Sequence, residues 1–460
     1  MEKDPSTLQP SGLTSGKGSE EERIPGLLQL MSAGSVRVAT LPLQGRELEL
    51  GRGHAELGEA QDPRMSRRHA RIHFDGRRWQ VTDLGSQNGT FVDGERLTPQ
   101  TPREAQRVIR MGDSLFVPSA DVGPVKKRGV VLVDGFVRGP ALQGLLDEVT
   151  RAAQLGFSLH IHGESGAGKE GVARTFHQHG PQREGPFIAV NCAAIPQGVA
   201  ERLLFGSRKG AFSGADDAEG YLQAAHGGTL FLDEVVELEL AVQAKLLRVL
   251  ETREVLPLGS ARSRKVDIRV CSASNKNLRG LVAEGKLRED LYFRIGRPEV
   301  MLPPLRQRPE ELPLLLQQAV QQVASGPGLH VSLLEACLLR PWPGNVRELF
   351  VEIRTAAQAA LMQGAQRIEA RHLSPSAGTA FGPSTPLQVT NEKVPPVVPE
   401  APSRASPLDA AERARIEEAL RQHGGNVAAT ARALGMHRTQ LRRLLERHAI
   451  VAPTGGEDDQ

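Results

Sequence analysis

The chain has 460 residues, 39% of them hydrophobic and only 4% aromatic, with a formal net charge of +3. That length suits roughly three domains of about 150 residues each, with cores built mainly from Leu, Val, Ala and Ile. The mild positive charge does not by itself argue for nucleic acid. The opening MEKDPSTLQP lacks the apolar stretch of a signal peptide, and no run of about 18 apolar residues occurs, so no membrane contact and a cytoplasmic location are expected.

In chain order, residues 1–30 are rich in Ser, Gly, Glu and Pro and read as a disordered tail. Short alternating runs follow (VRVATL, ARIHF, RWQVTDL), punctuated by Gly and Asp. They predict an all-β module over 31–120. A connector over 121–132 carries Pro124 and the basic run Lys126 to Arg128. Over 133–373, the apolar strands FSLHIHG, PFIAVN, GGTLFLDE and VDIRVCSAS alternate with helical patterns such as KEGVARTFHQ. This is an α/β domain with a parallel sheet, and from Glu310 it turns into a helical subdomain. Residues 374–407 are dense in Pro, Ser and Ala and read as a linker. Three short helices are expected over 408–449, then an acidic tail over 450–460. Cys192, Cys271 and Cys337 are scattered with no CxxC pair, so buried thiols are expected, with neither a zinc site nor a disulfide framework.

Gly163-Glu164-Ser165-Gly166-Ala167-Gly168-Lys169 follows a strand and opens a helix, which is the Walker A spacing in its required context. The glycines let backbone N–H groups turn toward phosphate oxygens, and the helix N-terminus adds partial positive charge. Lys169 supplies a point charge for the β- and γ-phosphates. About 65 residues on, GGTLFLDE ends an apolar strand in Asp233 and Glu234. Adjacent carboxylates at a strand end are costly unless a cation faces them. Asp233 is therefore expected to hold Mg²⁺ through water, and Glu234 to orient or deprotonate the attacking water of ATP hydrolysis. Two features sit outside that scheme. Glu170 stands where Ser or Thr usually ligates Mg²⁺. Ser158, His160 and His162 line one face of the strand before the loop, where a fully buried strand is apolar on both faces. The histidines read as local packing features.

Taken together, GESGAGKE (163–170), PFIAVNCAAI (187–196), LLFGSRKGAFSGA (203–215), GGTLFLDE, LREDLYFRI (287–295), PPLRQRPEEL (303–312) and WPGNVREL (342–349) resemble the sigma-54-dependent transcription activators, in order over about 240 residues. In that family Glu after the Walker lysine is usual. The resemblance implies that Asn191 holds Glu234 inactive until a target engages, and that Asn275 senses the γ-phosphate. Arg288 and Arg294 are implied to be arginine fingers given to a neighbouring subunit, and Arg347 a second sensor. Fingers supplied between subunits imply a ring, a hexamer. Gly210, Ala211, Phe212, Ser213, Gly214 and Ala215 are implied to form the loop that contacts the sigma-54 RNA polymerase holoenzyme and converts its closed complex to an open one. Ser213 replaces the usual Thr, and Gln223 and Val351 replace the usual Glu and Asn. Loss of sigma-54 activation, leaving a DNA-binding regulator with the AAA+ fold, is the alternative reading.

In the front module, Gly51-Arg52, Ser66-Arg67-Arg68-His69 and DLGSQNGTFVDG (83–94) resemble a forkhead-associated (FHA) domain, an antiparallel sandwich that binds phosphothreonine. Arg52, Arg67 and the Ser66 hydroxyl suit a dianionic phosphate. Asn88 can bond the peptide backbone next to the phosphothreonine, and His69 braces the loop; Gln87, also in the binding set, and Arg67 vary from the commoner residues there, which leaves peptide preference open. The implied partner is a phosphothreonine-containing protein or a Ser/Thr kinase. At the rear, GGN at 424–426 breaks one helix and caps the next, and MHRTQLRRLLERH is basic on one face. The segment resembles a Fis-type helix-turn-helix, which implies double-stranded DNA as partner. His437, Arg438, Thr439, Gln440, Arg442 and Arg443 are the candidate contacts. The expected fold is thus multidomain: an all-β FHA sandwich, an α/β AAA+ P-loop ATPase with a helical subdomain, and an all-α helix-turn-helix.

Overall fold

A computed structural model describes residues 23–57, 61–156, 158–211, 216–323, 327–380, 416, 418–424, 426–434 and 445. They belong to two compact units, 1–384 and 385–460.

The first unit opens with a sandwich of two antiparallel sheets, six-stranded and four-stranded. The alternation read from the sequence is the cause. In Ala70–Phe74 and Trp79–Asp83, Ile72 and Val81 point inward while Arg71 and Gln80 point out. Leu27, Leu50, Val92, Ile109, Met111 and Phe116 complete this core. The expected tail boundary at residue 30 is wrong. Gly26–Ser32 is a fully buried strand between Ser35–Pro42 and Ser114–Ser119. It is covered on both faces: Leu27 enters the sandwich core, while Leu28, Leu30 and Met31 join a second core with the helical subdomain. A strand buried on both sides shows no period-two signal, and a register shift between Gln29 and Met31 disturbs the pattern further.

The connector contains regular structure of its own. Gly123–Arg128 is a helix with Pro124 in its first turn. Val131–Val133 pairs with Phe136–Arg138 across Asp134 and Gly135 (φ 52° and 75°), the Asp-Gly hairpin turn.

The ATPase sheet is parallel and five-stranded, in the order Phe187–Asn191, Thr229–Asp233, Arg269–Ser274, Leu159–His162, Glu299–Met301. Helices Pro140–Leu155 and Lys169–His179 cover one face through Val149, Val172 and Phe176. Helices Leu240–Thr252 and Glu289–Ile295 cover the other through Leu246, Leu291 and Ile295. All three cysteines are free and buried, and burial pushes the Cys192 and Cys337 thiols up to about 12.

The helical subdomain packs Leu312–Gln321, Val331–Leu338 and Asn345–Met362 around buried Trp342. It is not purely helical, since Gly328–Leu329 and Arg367–Ile368 pair as short parallel strands. Its end also lies beyond the expected linker boundary at 374. Ala377 is buried, Gly378 accepts a bond from the Trp342 backbone at 3.0 Å, and Arg340 donates to the Ser374 and Ala377 carbonyls. The linker from 381 onward lies outside the described residues.

In the second unit, the Asn426 side chain accepts from the Ala429 N–H at 3.0 Å and caps the helix Val427–Ala433. Ile416, Leu420, Ala431 and Leu445 form a small core. His437, Arg438, Thr439, Gln440, Arg442 and Arg443 lie outside the described residues.

Candidate active site

The P-loop connects the strand Leu159–His162 to the helix Lys169–His179. Gly166 and Gly168 take φ of 74° and 108°, which side chains rarely adopt. A Cβ on Gly166 would lie 2.2 Å from the Gly344 carbonyl oxygen, so this glycine lets the helical subdomain approach the loop. Val346 and Arg347 then donate backbone N–H bonds to the Gly166 carbonyl at 3.1 and 3.4 Å.

Beside the loop lies a cavity of about 710 Å³, a size that suits a nucleotide. Ser165, Lys169, Asn191, Asp233, Asn275 and Arg347 line it, with Glu170 and Glu234. Lys169 is nearly buried. Its Nζ donates to Glu234 Oε1 at 2.8 Å and to the Gly163 carbonyl at 3.2 Å, and stands 3.7 Å from Asp233 Oδ1. Burial pushes the Asp233 carboxyl above its usual range, Lys169 opposes that shift and Glu234 adds to it. Glu234 takes φ 51°, a left-handed conformation costing about 1–2 kcal/mol for a non-glycine residue. It is held there by Lys169 and by the Asn275 N–H, which donates to Oε2 at 3.2 Å.

Several expected residues converge here and others do not. Arg347 Nη1 donates to Ser165 Oγ at 3.2 Å. Asn191 lines the cavity; its Oδ1 accepts from the Ala193 N–H at 3.1 Å and caps a short turn, and no hydrogen bond joins it to Glu234 in this structure. Glu164 turns away and forms a two-point pair with Arg306 at 2.7 and 2.9 Å. Glu170 pairs with Arg174 at 2.6 Å on the helix surface. Arg288 pairs with Asp290 at 2.7 Å, and Arg294 donates to the Leu250 carbonyl at 2.9 Å; neither lines the cleft of its own chain. Of the loop 210–215, only Gly210 (φ 83°) and Ala211 are described.

The sequence reading missed the residues that clamp the P-loop to the helical subdomain. Asn345 Nδ2 donates to Glu164 Oε2 and to the Ser165 carbonyl, both at 3.1 Å. Arg308, buried with Glu311 at 3.0 Å, donates to the Ala167 carbonyl at 3.1 Å. Glu311 in turn accepts from the Gly139 N–H at 2.8 Å, and burial, opposed by Arg308, pushes its carboxyl up to about 7. These residues lie in PPLRQRPEEL and WPGNVREL, so the signal was the motifs themselves.

At the sandwich loops, a Cβ on Gly51 would lie 1.8 Å from the Arg67 carbonyl oxygen, so only glycine fits. His69 is buried; its Nδ1 accepts from the Ser66 N–H at 3.0 Å, which leaves its proton on Nε2, 3.3 Å from the Gly89 carbonyl. Burial lowers its pKa and keeps it neutral. Ser66 Oγ accepts from the Gln87 N–H at 3.1 Å, and Asn88 Nδ2 donates to the Arg64 carbonyl at 2.8 Å. Arg52 and Arg67 are brought to this same rim. Among the described residues neither guanidinium has an acidic partner.

This fold and cleft define an AAA+ ATPase. The chain matches the family models described as Sigma-54 interaction domain over 136–301, FHA domain over 48–112, AAA+ ATPase lid domain over 306–385, and Bacterial regulatory protein, Fis family, over 407–448. It is 37% identical to the nitric oxide reductase transcription regulator NorR1 of Cupriavidus necator, over 82% of this chain and 77% of that one. It is 35% identical to the transcriptional activator RocR of Bacillus subtilis, over 67% of each chain. A crystal structure of NtrX from Brucella abortus in complex with ATP is 30% identical, over 67% of this chain and 68% of that one, with a TM-score of 0.48. The chain belongs to the sigma-54-dependent transcriptional regulators. It carries an FHA domain in front and a Fis-type helix-turn-helix behind.

Proposed function

We propose that the protein binds enhancer-like double-stranded DNA and assembles as a ring, a hexamer. It spends ATP hydrolysis on opening the sigma-54 polymerase closed complex, under the control of a phosphothreonine partner. The supporting observation is the convergence of Lys169, Asp233, Glu234, Asn275 and Arg347 on one cleft. Lys169 now bridges the two carboxylates and is placed to exchange that contact for β- and γ-phosphate oxygens. Glu234, released, orients the attacking water and accepts its proton, while Asn275 and Arg347 face the nucleotide. The half-buried carboxylate of Asp233 is an oxygen donor of the kind that holds Mg²⁺ through water, and Mg²⁺ bound there neutralises charge on the phosphates. Arg288 and Arg294, directed away from their own cleft, are assigned to the neighbouring subunit's cleft. The loop carrying Phe212 transmits the change to sigma-54.

Control follows from the FHA domain and the lid sharing one hydrophobic core, reinforced by Arg110 against Glu335 at 2.7 Å. The same lid carries Arg347 to the nucleotide. A phosphopeptide at Arg52, Ser66, Arg67, Gln87 and Asn88 therefore acts on a body already joined to the cleft. The test is open-complex formation with sigma-54 polymerase and Mg-ATP. Phe212→Ala is expected to hydrolyse ATP and open no promoter. A wild-type protein that hydrolyses ATP and never engages sigma-54 removes the reading.

A further inference from the structure

The polar face of the strand leading into the P-loop plays no part in the nucleotide chemistry. Side chains alternate along a strand, so Leu159 and Ile161 enter the core under helices Pro140–Leu155 and Lys169–His179, and His160 and His162 emerge on the opposite face. The edge strand Glu299–Met301 pairs in parallel with this one, and its register sets Glu299 beside His160. One ligand atom from each of His160, His162 and Glu299 lies within 4.8 Å of the other two.

We infer that His160, His162 and Glu299 form a binding site for a divalent transition-metal ion of the zinc class. The proton positions favour it. The Ser272 hydroxyl has one hydrogen, donated to the Ile295 carbonyl at 3.2 Å. The 2.9 Å contact between His160 Nδ1 and Ser272 Oγ must then use the proton on Nδ1. That leaves Nε2 as a bare lone pair, fully buried and without a hydrogen-bond partner. A metal-bound imidazole has this arrangement, one nitrogen fixed by a hydrogen bond and the other free to coordinate. His162 Nδ1 is also buried without a partner. The nearest cation to Glu299 is Arg297, at 3.7 Å, too long to be a hydrogen bond.

Two imidazoles and one carboxylate suit Zn²⁺, Co²⁺ or Ni²⁺ rather than Mg²⁺ or Ca²⁺, with a fourth position open to water. Ligand bonds of about 2.1 Å in a tetrahedron require ligand atoms about 3.4 Å apart. The present spacing, within 4.8 Å, is wider than that and has to contract on binding; Glu299, on an edge strand and exposed, has room to move. The site is separate from the nucleotide cleft, which none of the three residues lines.

The untagged full-length protein, freed of metal, is dialysed against Zn²⁺ and separately titrated with Co²⁺. One tight equivalent of Zn²⁺ and the visible ligand-field band of tetrahedral Co²⁺ are expected. Both should disappear in Glu299→Gln and in His162→Gln, with circular dichroism unchanged. Ser272→Ala, which frees the His160 ring, is expected to weaken binding about 10- to 100-fold. Absence of the Co²⁺ band from the wild type overturns the inference, and so does a zinc equivalent that survives in a His162→Gln/Glu299→Gln protein.

Discussion

Arg110, on the FHA sandwich, donates from Nε to Glu335 of the lid at 2.7 Å, with both side chains largely shielded from solvent. Burial raises the Glu335 carboxyl and Arg110 opposes it, so the arginine compensates for a charge in a poor environment. Arg110→Met is expected to destabilise the chain by about 3 kcal/mol, because it strands a buried carboxylate. Arg110→Met/Glu335→Leu should recover most of that loss. Urea unfolding of the two single variants and the double variant measures the coupling, and simple additivity would mean that the pair contributes nothing to docking.

Glu311 gives a pH dependence with a definite sign. Its folded-state carboxyl titrates at about 7 against an ordinary 4.5. The folded state therefore holds the proton more tightly, and the resulting stability is complete below about 4.5. It is lost as pH rises through about 7, a change on the order of 3 kcal/mol at most. Glu310, also raised by burial, acts in the same direction. Buried histidines such as His160, whose pKa is lowered, act in the opposite direction over part of this range, so the readout is a difference: the urea midpoint of the wild type relative to Glu311→Gln should fall between pH 5 and 8. A difference that rises over this range would contradict the assignment.

At the cleft, Glu234→Gln keeps the geometry that binds nucleotide and loses the proton acceptor. Phosphate release should drop about 100-fold or more while binding of a fluorescent ATP analogue persists. Lys169→Ala should lose both, since it removes the phosphate partner.

The finger assignment has its own signature. Arg288→Ala or Arg294→Ala is expected to lower turnover about a thousandfold with nucleotide affinity retained. Mixing Arg288→Ala chains with Glu234→Gln chains should restore turnover, because some junctions then combine an intact Glu234 with an intact finger. No restoration at any ratio would place the arginine's role within its own subunit.

Arg52→Ala should abolish binding of phosphothreonine peptides by the FHA domain and leave its unfolding midpoint unchanged. Fluorescence anisotropy with paired phosphorylated and unphosphorylated peptides reads this directly.

Motifs with strict chemistry were legible in the sequence. Lys169, Asp233 and Glu234 are fixed by spacing along strand, loop and helix. Gly51 and His69 shape the loop that carries Ser66 and are recognisable from short ordered motifs. What escaped depends on partners distant in sequence. Nothing near Gly26 says that a strand starts there, because both its faces are covered by segments far along the chain. Arg308 and Glu311 look like a charged surface turn, and only the approach of Ala167 and Gly139 makes them a buried clamp. Asn191 lies in the cleft where its motif places it, and the turn that its amide oxygen caps is a local contact that no motif announces.

The strand Gly26–Ser32 has one further consequence. Its outward side chains, Leu28, Leu30 and Met31, meet the lid and not water. Cutting the protein after residue 120 would lay bare an oily seam, and the freed FHA domain should self-associate or clump. Exchanging this domain for another would likewise demand a matching seam, so the front and middle domains of this regulator are constrained to change together.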